Sequence, residues 1–304
     1  MKFPSPSSAE AVVAVRELSR RFASKLALDN VSLYVPRGCV FGLVGENGAG
    51  KTTLIKHLLG LLKAESGSVH VFDRDPVFDS VDVLSQIGYL SENRDLPGWM
   101  RIDQLLRCTQ AFYPTWDQDY AENLREKFGL DPSARVKNLS QGQQAKAGLL
   151  LALAYRPQLL LLDEPSSGLD PVVRRDILEA IIRTVADEGR TVFFSSHLLD
   201  EIERVSDQIA MLHQGKVVIC GALDEVKSSH RRIVLRFDEP QVSSPNLSQA
   251  LSVTGSGREW SVLCNDGQAE LLASVTVLGA RVVSDETPSL HEIFVARAGQ
   301  KLKV

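Results

Sequence analysis

The sequence predicts an α/β fold in which a mixed sheet core carries a helical subdomain and is followed by a smaller α+β domain. Three observations carry that prediction. A short apolar run, residues 39–44 (CVFGLV), breaks into a glycine-rich turn, then into Leu54, Ile55, Leu58, Leu59 and Leu62 at helical spacing. Four consecutive leucines, residues 159–162, read as a fully buried strand that ends in Asp163-Glu164-Pro165. Beyond about residue 228, alternating runs such as RIVLRF and WSVLC are joined by a loop rich in proline and serine.

The glycine-rich turn comes first. Gly45-Glu46-Asn47-Gly48-Ala49-Gly50-Lys51-Thr52, with Thr53 behind it, fits the pattern G-x-x-x-x-G-K-[ST] between a strand and a helix. Glycines let the backbone wrap tightly enough to aim several N–H groups at phosphate oxygens. The lysine reaches the β- and γ-phosphates, the threonine hydroxyl ligates Mg²⁺, and the helix dipole adds to the anion site. This pattern predicts a nucleoside triphosphate site.

Composition narrows the class. The chain has 304 residues, 44% hydrophobic and 24% charged, with a net charge of −4. That balance suits a large globular domain plus a smaller one and argues against a broad nucleic-acid footprint. Cys39, Cys108, Cys220 and Cys264 are far apart, so buried thiols in a reducing compartment are expected rather than a zinc site. The start, residues 1–11 (MKFPSPSSAEA), is expected to be mobile and lacks the apolar core of a signal peptide. The longest apolar stretches, such as residues 147–155, fall short of the roughly 18 residues a membrane span needs.

Taken in order, residues 12–18 and 31–35 read as a strand pair, with Pro36-Arg37-Gly38 turning into the phosphate-loop strand. Residues 68–72 and 87–90 (IGYL) read as further strands, the latter leading into a polar turn that carries Glu92. Residues 101–136 read as helical, with aromatic side chains at Phe112, Tyr113, Trp116, Tyr120 and Phe128. Most should be core, yet so small a section must expose some of them, and an exposed apolar patch suits docking. Ser140 opens a helix predicted over residues 144–155, either as a simple cap or as a ligand-facing group. Asp170 caps a helix from Pro171 to about Gly189, and residues 191–195 (TVFFS) form a buried strand that delivers His197. A strand ejecting two carboxylates beside a phosphate loop is where an Mg²⁺ ligand and a water activator are expected. Residues 223–227 close the core. Strands over 232–237, 260–264 and 281–283 then alternate with helices over 268–278 and 290–296.

Together these motifs resemble the nucleotide-binding subunit of an ABC transporter over residues 12–225. GENGAGKT is similar to the Walker A motif, LSQGQ to the signature, LLLLDEP to the Walker B, SGLD to the D-loop, and His197 to the switch histidine. The implied fold is a P-loop NTPase of the ABC cassette type with a small C-terminal α+β domain. The IGYL strand, the FYPTWD stretch and the chain ending resemble ABC-2-type exporter ATPases.

The resemblance implies roles. ATP and Mg²⁺ are the expected cofactors. Gly45 through Thr53 bind phosphate, with Lys51 also stabilising the reacting phosphoryl group, and Phe22 stacks on adenine unless it is a strand-end core residue. Ser140, Gln141, Gly142, Gln143 and Asp170 complete the ATP site across two facing subunits. Thr52, Asp163 and Glu92 are the metal ligands, Glu164 is the base and His197 holds the γ-phosphate. Two positions depart from the family: Gln141 replaces the usual glycine, and Glu92 replaces the Q-loop glutamine. The partners implied are separate transmembrane permease subunits and a second ATPase, homodimer or heterodimer, with no nucleic acid. The place implied is the cytoplasmic face of the cell membrane. The alternative is a soluble ABC ATPase acting on ribosomes or DNA. A single cassette without a coiled coil or cysteine cluster speaks for transport. No catalytic set is visible in the C-terminal domain, for which packing or dimer support is expected.

Overall fold

The computed structural model describes residues 11–186, 189–247, 249–265 and 268–300, so the expected mobile tail lies outside them up to residue 10. The chain divides into two compact units between Val217 and Val218.

The first unit opens with β1 (Ala11–Phe22) and β2 (Lys25–Pro36), an antiparallel hairpin whose tight turn sets Phe22 opposite Lys25. Ala11, assigned to the tail from sequence, is buried at the start of β1. β3 (Val40–Val44) leads through the glycine-rich turn into α1 (Lys51–Leu58). β4 (Ser66–Val71) pairs with β1 to complete a three-stranded sheet in the order β2-β1-β4. α2 (Ser80–Leu84) and β5 (Ile87–Leu90) follow.

The helical section contains α3 (Ile102–Gln110), α4 (Gln118–Lys127) and α5 (Gln141–Leu153), the last starting three residues earlier than its composition suggests. Its aromatics divide as their surroundings dictate. Phe128 is buried, Tyr113 stacks on Tyr155 with ring centroids 3.7 Å apart, and Phe112 is 75% exposed. β6 (Leu159–Asp163), α6 (Pro171–Ala186) and β7 (Thr191–Ser196) come next. α7 (Leu199–Val205), β8 (Gln208–His213) and β9 (Lys216–Ala222) complete the main sheet.

That sheet has six strands in the order β5-β6-β7-β3-β8-β9, and β5, β6, β7, β3 and β8 run parallel. Helices cover both faces of such a sheet, which is why β6 and β7 read as unbroken apolar runs rather than alternating ones. Leu159 to Leu162, Phe193 and Phe194 are all at most 1% exposed, and Phe41 stacks on Phe193 at 5.3 Å. Each such side chain contributes about 1.5–3 kcal/mol on burial. The strand order matters for function. β5, β6, β7 and β3 are neighbours, so whatever follows their C-terminal ends collects on one edge.

The second unit contains α8 (Leu223–Ser228), β10 (His230–Gln241), β11 (Ala250–Asn265), α9 (Gln268–Val277), β12 (Ala280–Glu286) and α10 (Leu290–Gln300). Its sheet is antiparallel, β11-β10-β12, and Ile233, Leu235, Phe237, Trp260, Val262, Leu271 and Val275 form its core. The strands extend well beyond the predicted runs: residues 239–241 belong to β10 rather than to a loop, and β11 begins ten residues before Trp260.

No helix among the described residues is long and apolar enough to cross a membrane. The expectation of buried thiols holds for Cys39 and Cys264, whereas Cys220 is half-buried and Cys108 is exposed. Burial, then the charge of Asp207, pushes the Cys39 thiol up to about 12.

Candidate active site

The turn between β3 and α1 is held by close backbone packing. A Cβ on Gly45 would lie 2.4 Å from the Leu212 carbonyl oxygen, and one on Gly50 (φ +113°) would lie 2.5 Å from that of Ala27. The Gly215 N–H donates to the Ala49 carbonyl at 3.0 Å. The loop is thus clamped between β2 and the β8–β9 turn. α1 starts at Lys51, and its first amides have no partner within the helix, an arrangement that favours an anion.

Lys51 is buried. Its Nζ donates to the Gly45 carbonyl at 2.6 Å and to that of Glu46 at 3.2 Å, and lies 3.0 Å from Glu164 Oε1. Glu164, just past the end of β6, is 4% exposed and has φ +48°. Its Oε2 is 2.7 Å from His197 Nδ1 and accepts the His197 backbone N–H at 3.3 Å. Lys51, Glu164 and His197 therefore form one connected chain across β3, β6 and β7.

Ser195, unremarked in the sequence, sets the two carboxylates. It pairs with Asp163 across β6 and β7, its hydroxyl donates to Asp163 Oδ1 at 2.7 Å, and the same oxygen accepts the Glu164 N–H at 3.0 Å. Another missed residue is Glu201 on α7, a buried carboxylate. Its Oε2 accepts from Ser166 at 2.7 Å and Ser196 at 2.9 Å, and its Oε1 lies 3.2 Å from Arg174 Nε. This ties the segment after Glu164 to the segment before His197. No local motif announces Ser195 or Glu201, because their roles depend on strand adjacency.

A cleft of about 400 Å³ is lined by Phe22, Asn47, Gly48, Gly50, Lys51, Thr52, Thr53, Glu92 and Glu164, together with Lys25 and Ala27. Phe22 is 43% exposed there, with the Arg20 guanidinium 4.9 Å from its ring centroid, so it is not the core residue that its strand-end position allowed. Glu92 follows β5 and reaches the cleft. Two residues on, Arg94 Nη2 donates to the Ser167 carbonyl at 2.5 Å, tying the Glu92 turn to the segment before Asp170. Burial pulls the Arg94 guanidinium down, opposed by the charge of Glu92. Burial, then Asp163 and Asp95, pushes the nearby Tyr89 phenol up to about 12.

Ser140 to Gln143 lie elsewhere. Ser140 caps α5: its hydroxyl accepts the Gln143 N–H at 3.2 Å, and Gln143 Oε1 accepts the Ser140 N–H at 3.0 Å. Ser140, Gln141 and Gln143 are exposed, while Gly142 is buried against Val173 of α6. Asp170 is exposed and caps α6 through the Val172 and Val173 amides at 3.0 and 3.1 Å. None of these residues lines the cleft that holds Lys51.

A family model described as "ABC transporter" matches residues 28–167. The ABC transporter ATP-binding protein YhaQ of Bacillus subtilis is 31% identical over 298 residues, covering 95% of this chain and 99% of YhaQ. The chain belongs to the ATP-binding proteins of ABC transporters. The bacitracin transport ATP-binding protein BcrA of Bacillus licheniformis is 29% identical to this ABC protein over 245 residues, covering 79% of the chain and 78% of BcrA. Its fold matches a dimeric structure of the cassette MJ0796 bound to ADP and Pi, with a TM-score of 0.62 and 21% identity over 69% of this chain and 98% of that one.

ABC ATPases bind ATP and generally need Mg²⁺. Thr52, Glu92 and Glu164 line the cleft and offer only hydroxyl and carboxylate oxygens, the donor type a hard cation takes. Asp163 lies outside that lining with Oδ1 bonded to Ser195, and no group of three or more His, Cys, Asp or Glu among the described residues is placed to hold a metal ion.

Proposed function

We propose that this ABC protein binds and hydrolyses ATP to drive export through separate permease subunits, with two copies closing over two ATP molecules. One observation carries the reading. Neighbouring strands β5, β6, β7 and β3 deliver Glu92, Asp163-Glu164, His197 and the phosphate loop to a single edge, while Ser140 stands exposed at a helix N-terminus outside that cleft. Such a helix end is completed by a phosphate reaching it from a second subunit.

In the proposed site Phe22 stacks on adenine, the Gly45–Thr53 loop and Lys51 hold the phosphates, and Ser140 to Gln143 with Asp170 of the facing copy close the site. Thr52, Asp163 and Glu92 would hold Mg²⁺, which supplies charge neutralisation on the phosphate oxygens. Glu164 takes a proton from water as its oxygen bonds to the γ-phosphorus and the bond to the β-phosphate bridging oxygen breaks, leaving ADP and phosphate. His197, bonded to Glu164, orients that carboxylate and holds the γ-phosphate.

The permease is proposed to dock on the exposed groove of about 370 Å³ lined by Val81, Leu84, Ser85, Cys108, Thr109, Phe112 and Tyr113. Val81 is 80% exposed, more apolar surface than a solvated helix pair needs. This docking would hold the ATPase on the inner face of the cell membrane. Affinity-tagged chain solubilised from membranes in mild detergent should bring down a multi-span protein. A Val81→Asp, Phe112→Asp variant should lose it while still binding ATP. Recovery with ribosomes or DNA instead would overturn the transport reading.

Glu92 makes a further prediction. Between a carboxylate and a triphosphate, Mg²⁺ turns repulsion into attraction, because it is the largest local charge. Glu92→Gln should bind metal-free ATP more tightly than the parent and gain less affinity when Mg²⁺ is added. ATP titrations with and without Mg²⁺ check this, and an unchanged Mg²⁺-induced gain would remove Glu92 from the metal.

A further inference from the structure

We propose that Lys25 is an additional phosphate-binding residue of the nucleotide cleft, an inference that rests on the ATP-binding reading above. Lys25 opens β2 directly opposite Phe22 across the β1–β2 turn, so the aromatic ring and the ammonium belong to one hairpin tip. Both line the same cleft as the phosphate loop. The Lys25 ammonium reaches that loop: it lies 3.5 Å from the point a Cβ on Gly48 would occupy.

The two lysines of the cleft are differently engaged. Lys51 is held by the Gly45 and Glu46 carbonyls and by Glu164. The Lys25 ammonium makes no hydrogen bond or ion pair with any described residue, although Glu92 and Glu164 line the same space. An ammonium that reaches over a loop built to hold anions, yet takes no protein carboxylate, is placed for a ligand anion. The chemistry it fits is the phosphate chain of a nucleoside di- or triphosphate whose base lies on Phe22. The hairpin then reads base and phosphate together, and its sequence signal is a lysine three residues after the aromatic.

The test compares parent, Lys25→Ala and Lys25→Arg by displacement of a fluorescent ATP analogue with ATP, ADP and adenosine, in low and high salt. Lys25→Ala should weaken ATP and ADP by about 3- to 10-fold, the range for a charge-assisted contact at a partly exposed site. Adenosine should be unaffected, the loss should shrink in high salt, and Lys25→Arg should recover most of the affinity. Because Lys25 is exposed and its ammonium is unpaired among the described residues, the variants should keep the parent's thermal midpoint. Unchanged ATP affinity in Lys25→Ala would overturn the proposal, as would equal losses for ATP and adenosine, which would place the effect on Phe22. A parent that bound no nucleotide would instead overturn the ATP-binding reading itself.

Discussion

Glu164→Gln should lower steady-state ATP turnover by roughly 10²–10⁴-fold, the usual size of a general-base contribution, equivalent to about 3–5 kcal/mol of barrier. The structure makes this substitution a clean one. Glutamine keeps the shape and an oxygen for His197, and although the Lys51–Glu164 ion pair at 3.0 Å is lost, Lys51 retains its two carbonyl acceptors in the phosphate loop. ATP binding should persist because the change removes a buried negative charge close to the phosphate site. The variant should therefore accumulate as an ATP-bound dimer on gel filtration. Parent-like turnover would sink the assignment of the base.

Ser140→Arg should abolish ATPase activity while leaving nucleotide binding by the monomer largely intact. Ser140 is a better probe than Gly142, because a side chain at Gly142 would strike Val173 at 2.9 Å and perturb α5 packing. Losing the Ser140 cap costs about 1 kcal/mol, which the remainder of a 13-residue helix packed on its neighbours can absorb. An arginine there takes the place of the phosphate bound by the facing subunit, so it disables only the site that this helix end would close. Mixing Ser140→Arg with Lys51→Ala should restore activity, since one copy then supplies an intact phosphate loop and the other an intact Ser140. Parent activity should also rise more steeply than linearly with protein concentration. No recovery on mixing would count against the facing arrangement of two identical copies.

Where the sequence was legible, the physics was local. The phosphate loop declares itself because glycines at 45 and 50 are required by backbone approach, and β6 and β7 do so because a strand covered on both faces must be apolar throughout. IGYL was readable as β5 for the same reason. What stayed hidden depends on pairing. Ser195 looks like any strand-end serine until β7 is laid against β6, and Glu201 looks like a surface residue of a short helix until Ser166, Ser196 and Arg174 converge on it. β8 and β9 carry no motif, and only their place in the main sheet identifies them. The first half of β11 is rich in serine, threonine and glycine and meets β10 only at Gly257, opposite Gln241, so neither its composition nor a long register with β10 announces it. Lys25 carries no motif of its own; only the hairpin register sets it beside Phe22.

The backbone at Glu164 has a further consequence. A side chain other than glycine at φ +48° carries a conformational penalty of about 1–2 kcal/mol, so the carboxylate sits on a turn its own residue type does not prefer. Glycine there would relax the chain and erase the chemistry in one step. A directed-evolution campaign that rewards heat resistance or yield alone weighs that relaxation against the lost Lys51 and His197 contacts and is blind to the lost chemistry. Selection for a hardier ATPase has to include turnover in the screen from its first round.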